Sequence, residues 1–480
     1  MELAEYAALD GVDLANLVRT GDLSPREPAE TARRAAGRVN LQLNAIIGWT
    51  EGESERALSM LDPRAPFAGV PFLVKDLGMS MAGIPQQMGS RFVEDYVPPS
   101  DSELARRCKE AGLVTIGRTN TPEFGCNLST EPRLFGPTRN PWKPTHSAAG
   151  SSGGAAAAVA AGIVPFAHAN DGGGSIRAPA SACGLVGLKP SRGRLPAAPD
   201  GEGMVFGLGC EFVVSRSIRD SAAMLDALAA PDRGGKHQLL DGPPAFLASL
   251  GTAPRKLRIA VTTQTSAFPP THPECVAAVE RVAHYCESLG HSVAWHESPV
   301  DVGEGIRLWM HFSSAYGARM IGLMERAFGR KAERRLFERS VYGLFAAGRR
   351  LTLQTFLDGY DRMNQVTRGM ASLFELFDLW LTPTLLQPPP ELGILNADDR
   401  RLDTEQTILR WGGWAGFMPL YNVSGQPGIT LPLHWSADGL PIGVHFGARL
   451  GDEVTLLQIA AQLEHAMPWK GRRPEVHVAH

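Results

Sequence analysis

Residues 149–177 read AGSSGGAAAAVAAGIVPFAHANDGGGSIR. Alanine is the best helix former, so residues 154–162 are expected to be helical, with Ser151 or Ser152 near the N-terminus. Small side chains along such a helix let other backbone pack very close to it. Residues 163–168 then read as a buried strand and Gly172-Gly173-Gly174 as a tight turn. Three consecutive glycines are entropically costly, and are useful where backbone must bend sharply or approach a ligand. A run of backbone N–H groups ending on the hydroxyl of Ser175 is what acyl transfer requires, a nucleophile beside an oxyanion hole. Taken alone, the stretch is equally readable as a glycine-rich structural turn.

The 480-residue chain is 44% hydrophobic and 20% charged with a net charge of −3, which is ordinary globular composition. That balance argues against nucleic acid or an anionic membrane surface as main partner. The six cysteines (Cys108, Cys126, Cys183, Cys210, Cys275, Cys286) are scattered without a C-x-x-C pair, so neither a zinc site nor a disulfide framework is indicated. The N-terminus is acidic and lacks a signal-peptide pattern, and no apolar run reaches ~18 residues. A cytoplasmic protein is the expectation.

Outward from the glycine stretch, the chain alternates helix and strand. Residues 1–60 read as helices, one of them opened by Ser24-Pro25. The run Phe67-Ala-Gly-Val-Pro-Phe-Leu-Val-Lys75-Asp76 has the look of a strand buried on both faces, carrying Lys75 at its end into the interior. Residues 102–112 form an amphipathic helix followed by a strand at 113–116. The long loop 119–142 is anchored by Phe124, Phe135 and Trp142, and loops of that length are usually functional. Strands are expected at 184–189, 257–261, 291–295 and 378–384. Helices are expected at 217–229, 273–290 and over much of 305–378, with a linker at 231–254. A hairpin turning at Asp438-Gly439 and a helix at 453–466 end the chain. The basic helices of 305–378 can lie on a membrane, but a solvated helix face is the commoner explanation. The alternation fits a mixed sheet covered by helices on both faces.

Three pieces now form one pattern: Lys75, the cluster Gly150-Ser151-Ser152-Gly153-Gly154, and Asp171-Gly-Gly-Gly-Ser175-Ile-Arg177. This pattern resembles the amidase signature family of serine hydrolases. Further blocks of similarity are Gly69-Val-Pro-Phe-Leu-Val-Lys75-Asp76, Thr119-Asn-Thr-Pro-Glu-Phe-Gly125, Gly184-Leu-Val-Gly-Leu-Lys-Pro190, Ser215-Arg-Ser-Ile-Arg-Asp220 and Asn422-Val-Ser-Gly-Gln-Pro427. Within the family, Ala167-His-Ala-Asn-Asp171, Thr130-Glu-Pro132 and Gln462-Leu-Glu464 look most like the 6-aminohexanoate-cyclic-dimer hydrolase type. The resemblance implies an α/β amidase signature fold with a large mixed sheet, one domain over residues 1–480. Its signature core would span about 65–230 and its variable, helical, substrate-pocket region about 300–415.

The resemblance also implies a triad: Ser175 as nucleophile, Ser151 as proton relay and Lys75 as base. The Gly150–Ser151 bond would be cis, and the N–H groups of Gly172, Gly173, Gly174 and Ser175 would form the oxyanion hole. Two positions depart from the family pattern. Ala149 stands where glycine is commoner, and Gly172 where a branched residue often sits, which loosens the turn or makes room for a bulkier acyl group. No cofactor and no metal are implied.

An amide is a poor electrophile and a hydroxyl a poor nucleophile, so the serine proton must leave during attack. With no histidine in the pattern, Lys75 must be neutral, which asks for a pKa about 2–3 units below the usual ~10.4. Burial supplies that direction; Asp76 opposes it unless strand alternation turns it to the other face. Ser152 is a candidate helix cap, Asp171 and Arg177 a structural ion pair, and His168 a satisfied core histidine. Cys126, in the pocket-side loop, is a candidate substrate contact. Trp309, Phe312, Trp411 and Trp414 are candidate pocket lining or core.

The expected activity is hydrolysis of a linear or cyclic carboxylic amide, with a small-molecule amide as the partner and a homodimer left open. The alternative is a glutamine amidotransferase-type subunit passing ammonia to a tRNA-bound partner. A non-catalytic scaffold is the third reading.

Overall fold

Strands whose every residue is apolar or small have both faces to bury, and the chain supplies them in two sheets. In the computed structural model residues 1–196, 204–230, 234–239 and 244–480 are described. The smaller sheet contains β1 (Ile46–Trp49), β2 (Pro71–Lys75) and β3 (Val114–Thr119) in the order β1-β3-β2, with β2 parallel and β1 antiparallel to β3. A ribbon of β4 (Arg139–Asn140) and β5 (Lys143–Ser147) follows. The larger, mixed sheet is formed by β6 (Phe166–Asp171), β7 (Val186–Lys189), β8 (Cys210–Ser215), β9 (Arg258–Val261), β10 (Ser292–Trp295), β11 (Leu379–Pro383), β12 (Gly428–Trp435) and β13 (Pro441–Ala448). Its order is β10-β9-β11-β13-β12-β7-β8-β6. β6, β7 and β13 are buried at every position, so helices cover both faces.

The large mixed sheet expected from the sequence is present, and Lys75 belongs to the separate, smaller one. β2 lies against β6 with no ladder between them. Side chains fill the seam instead: the Lys75 backbone N–H donates to His168 Nδ1 at 3.2 Å. Because Nδ1 accepts, the ring proton sits on Nε2, which meets Glu211 Oε2 at 2.6 Å. His168 is thus the satisfied core histidine the sequence suggested.

Other departures are local. The strand expected at 163–168 forms at Phe166–Asp171, because Pro165 has no N–H to give a ladder. Ser24 and Pro25 form a turn closed by Glu27 N–H to Ser24 O, and the helix runs Glu27–Leu43 with Pro28 in its first turn. β1 interrupts the expected helical run of the first 60 residues. Part of the expected 231–254 linker lies outside the described residues; the rest includes a short helix, Phe246–Ser249.

The alanine helix, Gly153–Ala160, is buried at all eight positions. Its N-terminus shows why glycine is needed. A Cβ on Gly154 would lie 2.4 Å from Asn120 N, 2.6 Å from Asn120 O and 2.7 Å from Ala45 O. One on Gly150 would meet Asn127 O at 2.7 Å. These neighbours are backbone and cannot rotate away. Ala149 has φ 56°, the left-handed region, which accounts for glycine being commoner there in the family.

Gly154→Ala is expected to destabilise the protein by about 1–3 kcal/mol or more in chemical denaturation. Gly37→Ala, in the Glu27–Leu43 helix with nothing within 4 Å of the new methyl, is expected to stabilise it by about 0.5–1 kcal/mol.

Candidate active site

β2 ends on Lys75, β6 ends on Asp171, and the alanine helix begins at Gly153; these three ends converge. Lys75 is 1% exposed, and its Nζ lies 2.7 Å from Ser151 Oγ, 2.9 Å from Ser152 Oγ and 2.7 Å from Asn170 Oδ1. Burial pushes the Lys75 pKa down to about 7, against the opposing charges of Glu211 and Asp171. Asp76 does not pull it back. That carboxylate points away, bound to Arg118 at 2.7 Å and to the N–H groups of Gln87 and Gly89.

The three oxygens around Nζ are not equivalent. Asn170 Oδ1 can only accept, while its Nδ2 is spent on Leu77 O at 2.7 Å. Ser152 Oγ donates to Asn170 O at 3.3 Å, so toward the amine it accepts. A charged Lys75 has three protons for the three oxygens. A neutral one has two protons and a lone pair, and only Ser151 has a hydroxyl proton to give that lone pair. Ser152, the suggested helix cap, holds the cap position but makes no capping hydrogen bond; its hydroxyl is turned to Lys75 and Asn170.

The Gly150–Ser151 peptide is cis. The 119–142 loop holds this segment: Thr121 Oγ1 donates to Ser151 O at 2.9 Å and Thr130 Oγ1 to Ala149 O at 2.9 Å. Ser152 N–H reaches Ser175 O at 3.3 Å, tying the two serine segments together. Ser175, half-buried, and Ser151 line the same cavity, and among the described residues the Ser175 hydroxyl has no hydrogen-bond partner.

The glycine turn is built around the buried Asp171. Its carboxylate accepts from Gly174 N at 2.6 Å, Ile176 N at 3.2 Å, Arg177 Nε at 2.9 Å and Asn422 Nδ2 at 2.9 Å. Burial alone would raise its pKa, but Arg177, Asn422 and Lys189 outweigh that and hold it well below the usual carboxylate range. The Asp171–Arg177 pair is thus structural. The expected donor set is corrected at one place: the Gly174 N–H is committed to Asp171. The N–H groups of Gly172, Gly173 and Ser175 carry no hydrogen bond among the described residues.

The cavity, about 420 Å³, is mostly apolar, with Leu77, Phe124, Cys126, Trp309 and Met324 on its walls. Burial, aided by the charges of Glu123 and Glu338, pushes the Cys126 thiol far up, so it stays protonated and serves as apolar lining. Of the four aromatic residues singled out in the sequence, only Trp309 reaches the cavity. Phe312 and Trp411 are buried in core clusters, and Trp414 donates to Pro388 O at 3.2 Å. The room that Gly172 was expected to leave for an acyl group is bordered by Met204 Cε and Trp309 Nε1, 3.8 and 3.9 Å from a Cβ built there. Among the described residues no group of three or more His, Cys, Asp or Glu side chains is placed to hold a metal, and no helix is long and apolar enough to cross a membrane.

Sequence reasoning gave Asn170 and Asn422 no role at the site and read Ser152 as a helix cap. Asn170 was visible by alternation, since it shares a face of β6 with His168 and so faces β2. Asn422 had no such signal; it lies 251 residues from the Asp171 it braces.

The comparisons agree with this geometry. A family model described as Amidase matches residues 28–457. The 6-aminohexanoate-cyclic-dimer hydrolase of Pseudomonas sp. (strain NK87) is 35% identical over 97% of this chain and 96% of its own length. That of Paenarthrobacter ureafaciens is equally similar. A solved structure of a 6-aminohexanoate cyclic dimer hydrolase with substrate superposes with a TM-score of 0.90 at 33% identity, covering 98% of this chain and 99% of the other. A bacterial aryl acylamidase of the same family gives 0.86 at 27% identity, over 97% and 99%. Fold, buried amine and sequence thus converge, and the chain belongs to the amidase signature family of hydrolases that act on amides.

Proposed function

We propose that the chain cleaves a linear or cyclic amide of a small carboxylic or ω-amino acid through an acyl-enzyme on Ser175. Neutral Lys75 is the base. As Ser175 attacks the carbonyl carbon, its proton passes to Ser151 Oγ while Ser151 passes its own to Lys75 Nζ. The oxygen that becomes negative is held by the N–H groups of Gly172, Gly173 and Ser175. Collapse of the tetrahedral intermediate breaks the C–N bond, and the proton returns along the same path to the departing amine. Water then repeats the sequence on the ester, releasing the acid and restoring Ser175. The observation that supports this reading is the proton inventory around Lys75 Nζ, where Ser151 alone can donate to the neutral amine. Cys126 adds apolar lining on the substrate side. The 6-aminohexanoate-cyclic-dimer hydrolases make ω-amino acid amides the first substrates to assay.

Three outcomes follow. Ser175→Ala is expected to lower kcat by about 10⁴-fold or more and to abolish labelling by a fluorophosphonate; full turnover would overturn the assignment. Ser151→Ala is expected to cost about 10²–10⁴-fold, and Ser152→Ala, which removes a bond to Lys75 but no relay proton, less than about tenfold.

The pH dependence carries a sign. The base is the unprotonated form, so kcat/KM is expected to rise with pH through about 7, the value set by burial of Lys75, and to fall tenfold per unit on the acid side. Lys75→Arg, always charged, is expected to be inactive by about 10²–10⁴-fold at every pH assayed. A rate independent of pH from 5 to 9 would remove Lys75 from the mechanism. For stability, the unfolded chain binds a proton on this lysine up to its ordinary value while the native state loses it near 7. The group therefore makes the fold more stable as pH rises above about 7.

A further inference from the structure

The turn that follows β7 places Arg192 on the cavity wall, half-buried, with its backbone N–H bound to Gly425 O at 2.8 Å. Its guanidinium is used along one edge only. Nε donates to Gly207 O at 2.5 Å, and Nη2 donates to Asn422 O at 2.5 Å and Val423 O at 3.0 Å. Nη1, with two protons to give, has no hydrogen-bond partner among the described residues. Glycine at 425 leaves that nitrogen uncovered, since a Cβ there would lie 3.2 Å from both Cζ and Nη1.

All three partners are neutral carbonyls, and among the described residues no carboxylate pairs with this arginine. The groups whose charge it senses are the Cys210 thiol and the Tyr360 phenol. Burial pushes its pKa down to about 10, which leaves it charged at neutral pH. Other buried arginines of the fold differ: Arg177 pairs with Asp171, and Arg194, two residues along the same turn, pairs with Glu453. Among the described wall residues the one carboxylate is Glu211, and it is held by His168 Nε2 at 2.6 Å. The exposed Lys236, on the same wall, adds positive charge. A desolvated cation without a counter-ion is costly, and an anion brought by a ligand relieves that cost. The place matters too. Asn422, whose carbonyl takes Nη2, donates from its side chain to Asp171 O at 2.8 Å, so one residue braces both Arg192 and the glycine turn. We infer that Arg192 Nη1 is a subsite for a carboxylate that the substrate carries apart from the amide being cleaved. The substrate class is a linear amide with a free carboxylate, either a monoamide of a dicarboxylic acid or an N-acyl amino acid. The two differ in whether the carboxylate stays on Ser175 or departs with the amine. The inference rests on the reading of Ser175 as nucleophile.

The test measures the ratio of kcat/KM for a carboxylate to that for a methyl ketone of the same shape, so that any loss common to both cancels. In one series the acyl group varies: mono-4-nitroanilides of glutaric, adipic and pimelic acid against 4-nitroanilides of 5-oxohexanoic, 6-oxoheptanoic and 7-oxooctanoic acid. In the other the amine varies: butanoyl anilides with a 3- or 4-carboxylate against their 3- or 4-acetyl counterparts. Wild type is expected to favour the carboxylate about ten- to hundredfold for at least one pair, and the series in which it does so tells acyl from amine side. Arg192→Gln is expected to bring that ratio within about twofold of unity, and Arg192→Lys, which keeps the charge but loses the fork, to lower it about three- to tenfold. A ratio near unity for every pair in wild type overturns the subsite. So does an unchanged ratio in either variant, which would leave Arg192 a purely structural tie. Fluorophosphonate labelling of Ser175 in the same three proteins separates the layers. Labelling of wild type without discrimination between the pairs sinks the subsite alone; no labelling of wild type sinks the reading of the nucleophile beneath it.

Discussion

A primary amine sealed in the interior among three oxygens is the constraint on which the rest of this structure depends. An ammonium ion without a carboxylate beside it is expensive to bury, and among the described residues Lys75 has Ser151, Ser152 and Asn170 but no direct ion-pair partner. The result is an amine whose pKa burial lowers to about 7. Keeping it so requires that nearby carboxylates be occupied elsewhere. Asp76 is held by Arg118, Asp171 by Arg177 and Asn422, and Glu211 by His168. Two of these pairings do two things at once, because His168 and Asp171 also shape the backbone at the site. His168 receives the Lys75 N–H across a seam where two sheets meet without a ladder, and Asp171 gathers the Gly174 and Ile176 N–H groups.

That second task determines which amides can act on a substrate. An N–H bonded to a buried carboxylate is lost as an oxyanion donor, so the turn divides its amides by function. Gly174 and Ile176 fix the shape, while the N–H groups of Gly172, Gly173 and Ser175 carry no hydrogen bond among the described residues. Preorganised donors stabilise developing charge best because nothing must reorient at the moment of reaction. The Asp171 clamp supplies that rigidity from the protein side.

Much of this was legible in the sequence because it is local or periodic. The Lys75 strand, the alanine helix, the glycine turn, the C-terminal hairpin and the helix Glu453–Ala466 follow from alternation, helix propensity and turn residues. The two serines and the lysine were legible through motif and spacing. What was not legible depends on contacts between distant segments. Nothing near Val114–Thr119 announces that its sheet is separate from the large one. Nothing near Gly174 announces that its amide is already engaged. Ser152 reads as a helix cap from its position, and only Lys75 arriving from 77 residues away makes it a ligand of the amine.

Gly172 shows how a distant segment completes what a local reading begins. Seen alone, a glycine in place of a branched residue means empty space beside the turn. In the folded protein that space is bordered by an indole from a helix that begins 130 residues later. The chemistry is thus built from short, rigid, small-residue segments whose backbone must approach closely, which is why Gly150 and Gly154 tolerate no side chain. The walls come from a long helix whose side chains meet those segments only by packing. A change on that helix face alters what the cavity accepts without touching the hydrogen bonds of Lys75. Backbone contacts hold the glycine segments, whereas side-chain packing alone sets the face this helix turns to the cavity.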